Sequence, residues 1–223
     1  MSRSRSIFDI VGPVMIGPSS SHTAGAARLG LLALGIFGEQ PAAAHIRLHG
    51  SFATTGPGHG TDLALAAGLL GLAIDDARIR DALTEAAARG VAVTFENADL
   101  GDEHPNTAAI ALTGDAGRVM EIVGSSLGGA EVVVTRIDDF EVEITGELPT
   151  LVVAHVDQPG VIAGVTQVLA VSGANIATMS DAREKRGERA LMLIETDATV
   201  PESVRQLICE VPGVSGVHAV PAV

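Results

Sequence analysis

Residues with chemical potential are concentrated in three short stretches. In the first, Gly17-Pro18-Ser19-Ser20-Ser21-His22-Thr23, hydroxyls and an imidazole stand directly ahead of a small-residue run. That run, 24–37, spaces Leu29, Leu32 and Ile36 among alanines and is closed by Gly38, so it predicts a helix with Ser21 or Thr23 as its N-cap. A helix start leaves N–H donors unpaired and carries partial positive charge, which suits a carboxylate or phosphate. The same serines also serve as plain caps, and the stretch alone does not choose between these readings. The second stretch is Gly58-His59-Gly60-Thr61-Asp62, within a glycine-dense segment over 54–62 that reads as a loop before a buried helix at 63–73. Glycines on both sides of His59 give a base the clearance to approach a substrate, and the following helix start favours the neutral, proton-accepting ring. Asp62, if it reaches the ring, would orient one tautomer. A structural hydrogen bond across a glycine turn is the competing account of His59. The third stretch, His104-Pro105-Asn106-Thr107, adds an imidazole, although Asn106 bonding its own backbone would make it ordinary turn chemistry.

Two other chemistries lack their setting. No HExxH pair is present for zinc, and the one HxxxH spacing, His45 to His49, falls in the half-buried strand predicted at 44–50, where both histidines share a face with Arg47 and read as solvated or edge positions. The one G-x-S-x-G match, Gly124 to Gly128, lies in a glycine-rich loop that leads to a strand and not to the helix a nucleophile elbow needs, so it does not support a Ser-His hydrolase. A fourth feature lies downstream: the strand-like run 150–156 ends in Asp157-Gln158-Pro159-Gly160-Val161 and opens a helix. Backbone N–H groups there, with Asp157, Gly160, Val161 and Asn175, would hold the carboxylate of a free amino acid at a dimer seam. Alternatively, Pro159 and Gly160 simply start the helix.

These stretches need a scaffold, and composition bounds it. The chain has 223 residues, enough for two small domains, with a formal net charge of -13 that opposes binding to a nucleic-acid backbone. Aromatics are 2% of residues, so stacking platforms for bases are poorly supplied as well. No apolar window is long enough to span a membrane, and Asp9, Gly12 and Pro13 interrupt any signal-peptide core. A cytoplasmic protein is therefore expected. Cys209 is the single cysteine, so no thiolate cluster is formed within this chain.

Taken in order, 6–11 predicts an opening strand or turn and 44–50 alternates like a half-buried strand. A helix at 79–89 precedes strands at 91–95, 108–113 and 118–123, the last two joined by a Gly114-to-Gly117 hairpin. A glycine-rich loop at 124–130 then leads to strands at 131–137 and 140–145. The first unit, 1–146, is α+β. After Gly146-Glu147-Leu148-Pro149 the order changes to βαββαβ over 149–223, with strands at 150–156, 175–184, 189–196 and 214–220 and helices at 160–172 and 201–210. That order is ferredoxin-like, and because such a sheet leaves one face uncovered, pairing with a second copy is expected.

Together, Ser6-Ile7-Phe8-Asp9, Gly17 to Thr23, Gly58 to Asp62, His104 to Thr107 and the Gly128-Gly129 loop resemble the beta subunit of the iron-sulfur-dependent L-serine dehydratase over nearly the whole chain. Residues from about 149 onward resemble the ACT domain of bacterial members. The resemblance implies an L-serine ammonia-lyase, converting L-serine to pyruvate and ammonia in serine catabolism and gluconeogenesis. It implies a four-iron four-sulfur cluster held by the partner alpha subunit, and no activity from this chain alone. It implies His59 as the base taking the Cα proton, with His22 and His104 as further catalytic candidates and His104 closing the subunit interface. Ser19, Ser20, Ser21, Thr23, Thr61 and Asn106 would meet the substrate or the alpha chain. The beta domain also resembles the allosteric substrate-binding domain of some phosphoglycerate dehydrogenases, so a purely regulatory, amino-acid-binding protein is the alternative. Some single-chain relatives end in an autoinhibitory cysteine; the run Pro221-Ala222-Val223 departs from that pattern.

Overall fold

Alanine and glycine decide how closely the elements of the first unit approach. The structure is a computed structural model that describes residues 14–223; the opening strand predicted at 6–11, with its Ser6-to-Asp9 motif, lies outside them. A π-helical turn, Ser20–Gly25, runs into helix α1 (Ala26–Phe37). Strand β1 (Ala43–Leu48) follows, then helices α2 (Gly50–His59) and α3 (Thr61–Leu69), a 3-10 turn (Ala77–Asp81) and helix α4 (Ala82–Ala88). Strands β2 (Ala92–Asn97), β3 (Thr107–Thr113), β4 (Val119–Gly128), β5 (Glu131–Ile137) and β6 (Phe140–Ile144) complete one sheet, ordered β2-β1-β3-β4-β5-β6. Among the described residues only β1 and β2 pair in parallel in it, as the helical crossover between them requires.

Helix α1 lies on this sheet, burying Leu29, Leu32, Ile36 and Phe37 with Ile46, Ile110, Leu112, Ile122 and Val134. Against α3 it packs through glycines: a Cβ at Gly68 would stand 2.1 Å from the Ala27 carbonyl oxygen, and one at Gly30 would stand 2.5 Å from that of Leu65. Small residues at this crossing replace the missing aromatics as the source of close contact.

Three sequence expectations are corrected here. The segment 54–62 is not a loop: its first part is helix α2. Phe52 is fully buried, the amides of Ser51 and Phe52 are capped by the Pro105 carbonyl (2.7 and 3.3 Å), and Gly60 ends the helix at φ 68. The loop expected over 124–130 is largely strand β4. Gly124 is there because α1 comes close, a Cβ at that position falling 2.6 Å from Leu29 Cδ1. The helix expected at 79–89 is broken into the 3-10 turn and α4, the turn being capped by Asp76 Oδ1 accepting from the Arg78 amide at 2.9 Å.

The second unit has strands β7 (Thr150–Val156), β8 (Ile176–Arg183), β9 (Arg189–Thr196) and β10 (Val214–Val220), with helices α5 (Val161–Ser172) and α6 (Glu202–Cys209). Its sheet order, β10-β7-β9-β8, is antiparallel throughout and matches the expected βαββαβ arrangement. Alternation along β7 and β9 sends Leu151, Val153, Met192 and Ile194 to the helices and Val152, Leu191 and Leu193 to the first unit's core. The sheet face expected to be uncovered is therefore covered within the chain, and β8 is left as an edge. The end of α1 completes the join: the Arg118 guanidinium lies 4.2 Å above the Phe37 ring, and His218 fills the space over Gly38. No helix among the described residues is long and apolar enough to cross a membrane.

Candidate active site

Four-residue spacing on α2 puts Ser51, Thr55 and His59 on one helical face, toward the π-helical turn that carries His22. The turn is set by Ser19, not by Ser21 or Thr23 as expected: its Oγ accepts from the His22 amide at 3.0 Å, and its carbonyl accepts from the Thr23 and Ala24 amides. The His22 Nδ1 lies 3.1 Å from Ser21 Oγ, and its Nε2 lies 3.0 Å from both Ser51 Oγ and Thr55 Oγ1. The Thr55 hydroxyl donates to the Ser51 carbonyl at 2.8 Å, so its oxygen is free to accept from His22 Nε2–H while Ser21 donates to Nδ1. Burial first, and the His59 ring second, hold the His22 pKa below the ordinary imidazole value, against the opposing effect of Ser51. The ring is therefore neutral at pH 7.

His59 stands beside it, with ring centroids 5.0 Å apart. Its Nδ1 faces the Thr55 carbonyl oxygen at 2.9 Å. A carbonyl only accepts, so Nδ1 carries a proton, and in the neutral ring the lone pair is on Nε2; no hydrogen bond to Nε2 is formed among the described residues. Asp62 does not orient this ring, lining instead a cleft with Leu48, Phe95, Glu96 and Asn97.

The remaining predicted residues divide by place. Thr23 and Thr61, expected to contact substrate, are 3% and 0% exposed. Their hydroxyls donate crosswise, Thr23 to the His59 carbonyl at 3.0 Å and Thr61 to the His22 carbonyl at 2.9 Å, clamping the two histidine segments together. Ser20 is partly exposed, and its hydroxyl makes no hydrogen bond among the described residues. His104 and Asn106 are at the other end of α2: Pro105 caps the start of that helix, whereas His59 ends it, roughly 15 Å away by helical rise. His104 Nδ1 accepts from the Asn106 amide at 3.1 Å, so it is the histidine that closes this turn, whereas the Asn106 side chain donates to the Ser126 carbonyl on β4 at 3.3 Å and not to its own backbone as the competing account had it. Ser51 and Thr55 escaped sequence reasoning; their i, i+4 spacing to His59 was the available signal.

In the second unit Asp157 accepts from the Gly187 amide at 3.1 Å and from Arg183 Nη1 at 3.0 Å, and these contacts, the amide first, hold its pKa below the ordinary carboxylate value. Gly160 precedes α5 at φ 99, Val161 is buried, and Asn175 donates to Asp197 at 2.8 Å. The β7–β9 register places Asp157 beyond Val156, opposite Arg189, and Asn175 beside the Thr150 end, so the two lie at opposite ends of the sheet. Among the described residues no group of three or more His, Cys, Asp or Glu side chains could hold a metal ion, and Cys209 is exposed on α6.

Comparison with known proteins agrees with this architecture. Residues 6–92 match the family model for the serine dehydratase beta chain, and residues 150–213 match that for the ACT domain. The chain is 43% identical over 210 residues to a Bacillus subtilis protein named "Probable L-serine dehydratase, beta chain", covering 94% of this chain and 95% of that one. It is 36% identical over 204 residues to the L-serine dehydratase beta chain of Peptoniphilus asaccharolyticus, covering 91% and 92%. A D-3-phosphoglycerate dehydrogenase from Methanocaldococcus jannaschii is 33% identical over 113 residues, covering 50% of this chain and 21% of that enzyme. By fold, motif geometry and these likenesses, the chain belongs to the L-serine dehydratase beta-chain family and carries an ACT domain.

Proposed function

We propose that this chain completes the active site of an L-serine ammonia-lyase, presenting His59 across a subunit boundary to substrate held by an alpha chain. The observation that carries this reading is the bare Nε2 of His59, with the opposite nitrogen fixed by the Thr55 carbonyl. A base that abstracts a Cα proton needs that tautomer in advance. His59 Nε2 takes the Cα proton, the electron pair left on Cα forms the Cα–Cβ double bond, and the Cβ–O bond breaks with its pair on oxygen, the hydroxide being protonated to water; the enamine tautomerises to an imine, which one water hydrolyses to pyruvate and ammonia. His22, neutral and held by three hydroxyls, positions the His59 side of the site. Ser20, with its uncommitted hydroxyl, is the serine available to a substrate carboxylate.

By resemblance a four-iron four-sulfur cluster belongs to the alpha subunit. The donor set of this chain does not fit as its ligands, since the single cysteine is in the second unit, apart from the histidines. The ACT unit, divided from the first near Gly146 to Pro149, would sense an amino acid. Because Asp157 and Asn175 occupy opposite ends of one sheet, they would share a ligand only if a second copy packs antiparallel along the β8 edge.

The test is His59→Asn in the reconstituted alpha–beta complex. Turnover should fall by roughly 10²–10⁴-fold with the melting temperature unchanged. Wild-type turnover would leave only the regulatory reading. Titration of the full chain with L-serine, repeated with Asn175→Ala, tests the sensing site separately.

A further inference from the structure

A cavity of about 330 Å³ lies where the β4 and β5–β6 surface of the first unit meets the second unit's sheet. Val119, Met120, Ile137, Phe140, Val152 and Leu191 supply its apolar lining. Its size is within the range of small-molecule sites. Charged groups of both signs accompany the apolar wall. Arg189, whose side chain is 64% exposed, belongs to the mouth; its Nη2 is engaged by Glu184 and Asp139, and its Nε and Nη1 have no partner among the described residues. Asp138 Oδ1 accepts from the Glu121 amide at 2.8 Å, its Oδ2 makes no hydrogen bond among the described residues, and its charge acts on Arg189. His155 is a wall group, its ring nitrogens taken by the Val156 carbonyl at 3.0 Å and Asp181 at 2.7 Å.

We propose that this interdomain cavity binds an aliphatic α-amino acid, its carboxylate on Arg189, its ammonium on Asp138 and its side chain among Ile137, Phe140, Val152 and Leu191. A zwitterion matches one cation and one anion at the mouth, and a branched side chain matches the lining, where a serine hydroxymethyl would leave apolar surface unfilled. The place is distinct from the Asp157 and Asn175 ends of the ACT sheet. It is also mechanically connected to the histidines. Arg118, in the same wall, donates to the Phe37 carbonyl at the end of α1, and the start of α1 continues from the turn holding His22.

Calorimetric titration of the full chain with L-leucine tests the proposal. One molecule should bind per chain, and 4-methylpentanoate, which is leucine without its ammonium, should bind about tenfold more weakly or worse. Gly216→Leu should abolish binding by filling the cavity: Gly216 lines it, and a Cβ there meets nothing within 4 Å, so the melting temperature of the variant should stay that of the wild type. Asp138→Asn keeps the amide contact and should weaken leucine about tenfold, while Asn175→Ala should leave leucine binding unchanged. No heat with leucine, isoleucine or valine in the wild-type chain would overturn the proposal. So would leucine binding that survives Gly216→Leu or is lost in Asn175→Ala.

Discussion

The carbonyl oxygen of Thr55 lies 2.9 Å from Nδ1 of His59, and this contact sets which ring nitrogen can accept a proton. The hydroxyl of the same threonine lies 3.0 Å from His22 Nε2, so one residue orients both imidazoles.

Thr55→Val keeps the carbonyl and deletes the hydroxyl, separating these two roles. His59 should retain its tautomer, whereas His22 loses one of the two oxygens facing Nε2. A neutral hydrogen bond contributes about 1 kcal/mol, so kcat/KM in the reconstituted complex should fall roughly fivefold, and Thr55→Ser should restore it. Nitrogen-15 spectra of the rings would show the His22 signals shifting and those of His59 unchanged. A variant in which both rings shift would mean that the hydroxyl supports the helix itself.

Much of the architecture could be read from residue order because alternation and helical period were clear where one face is buried. The βαββαβ unit is the best case: Leu151 and Val153 point one way and Val152 the other, and each strand boundary fell within a residue or so. Helix α2 could not be read. Its Gly50, Gly56, Gly58 and Pro57 argue against helix locally, and what overrides them is tertiary: a cap supplied by Pro105, some fifty residues downstream, and the burial of Phe52. Missing that helix concealed Ser51 and Thr55. His22 and His59 were legible by type and context, but no spacing rule reveals that the Thr23 and Thr61 hydroxyls are spent crosswise on backbone carbonyls.

Stability should fall as pH drops from 7.5 to 5.5. His22 and His218 both have folded pKa values below the ordinary 6.5, burial being the largest cause in each and Arg118 adding to it at His218. The unfolded chain therefore binds more protons in this window, so stability is complete above the unfolded pKa and is lost as the rings are forced to protonate in the fold. Asp157 shifts downward and matters only in more acidic solution. His218→Gln, which keeps an acceptor for Arg118 Nη1, should flatten the dependence of melting temperature on pH. An equally steep slope in that variant would assign the effect to His22.

The α1–α3 crossing sets a second limit. At Gly68 an added methyl carbon would stand 2.1 Å from the Ala27 carbonyl oxygen and 2.7 Å from the Leu31 amide nitrogen, both backbone atoms that cannot swing aside. Gly68→Ala should cost about 1–3 kcal/mol or more, despite alanine's better helix propensity, and denaturant melts should show it as a lower midpoint at constant slope. Gly90→Ala, where the added carbon meets nothing within 4 Å but φ is 75, serves as a comparison in which backbone strain acts without crowding.

Ser126 presents the opposite problem, a polar atom with nothing to bond. Its residue is fully buried in β4, and its Oγ has no hydrogen-bond partner among the described residues. The oxygen sits over Gly25, where a Cβ would come within 2.0 Å of it, at the last residue of the π-helical turn. An unsatisfied buried hydroxyl costs about 1–3 kcal/mol, so Ser126→Ala should raise the unfolding free energy or leave it unchanged, and the His22 turn should be undisturbed. The hydroxyl also blocks any side chain at residue 25, so Gly25→Ala should be strongly destabilising alone and markedly less so combined with Ser126→Gly. A double-mutant cycle by denaturant unfolding reads this coupling directly. Loss of stability in Ser126→Ala would instead mean that the hydroxyl is satisfied in solution, and additive effects of the two substitutions would show that the turn does not rest on Ser126.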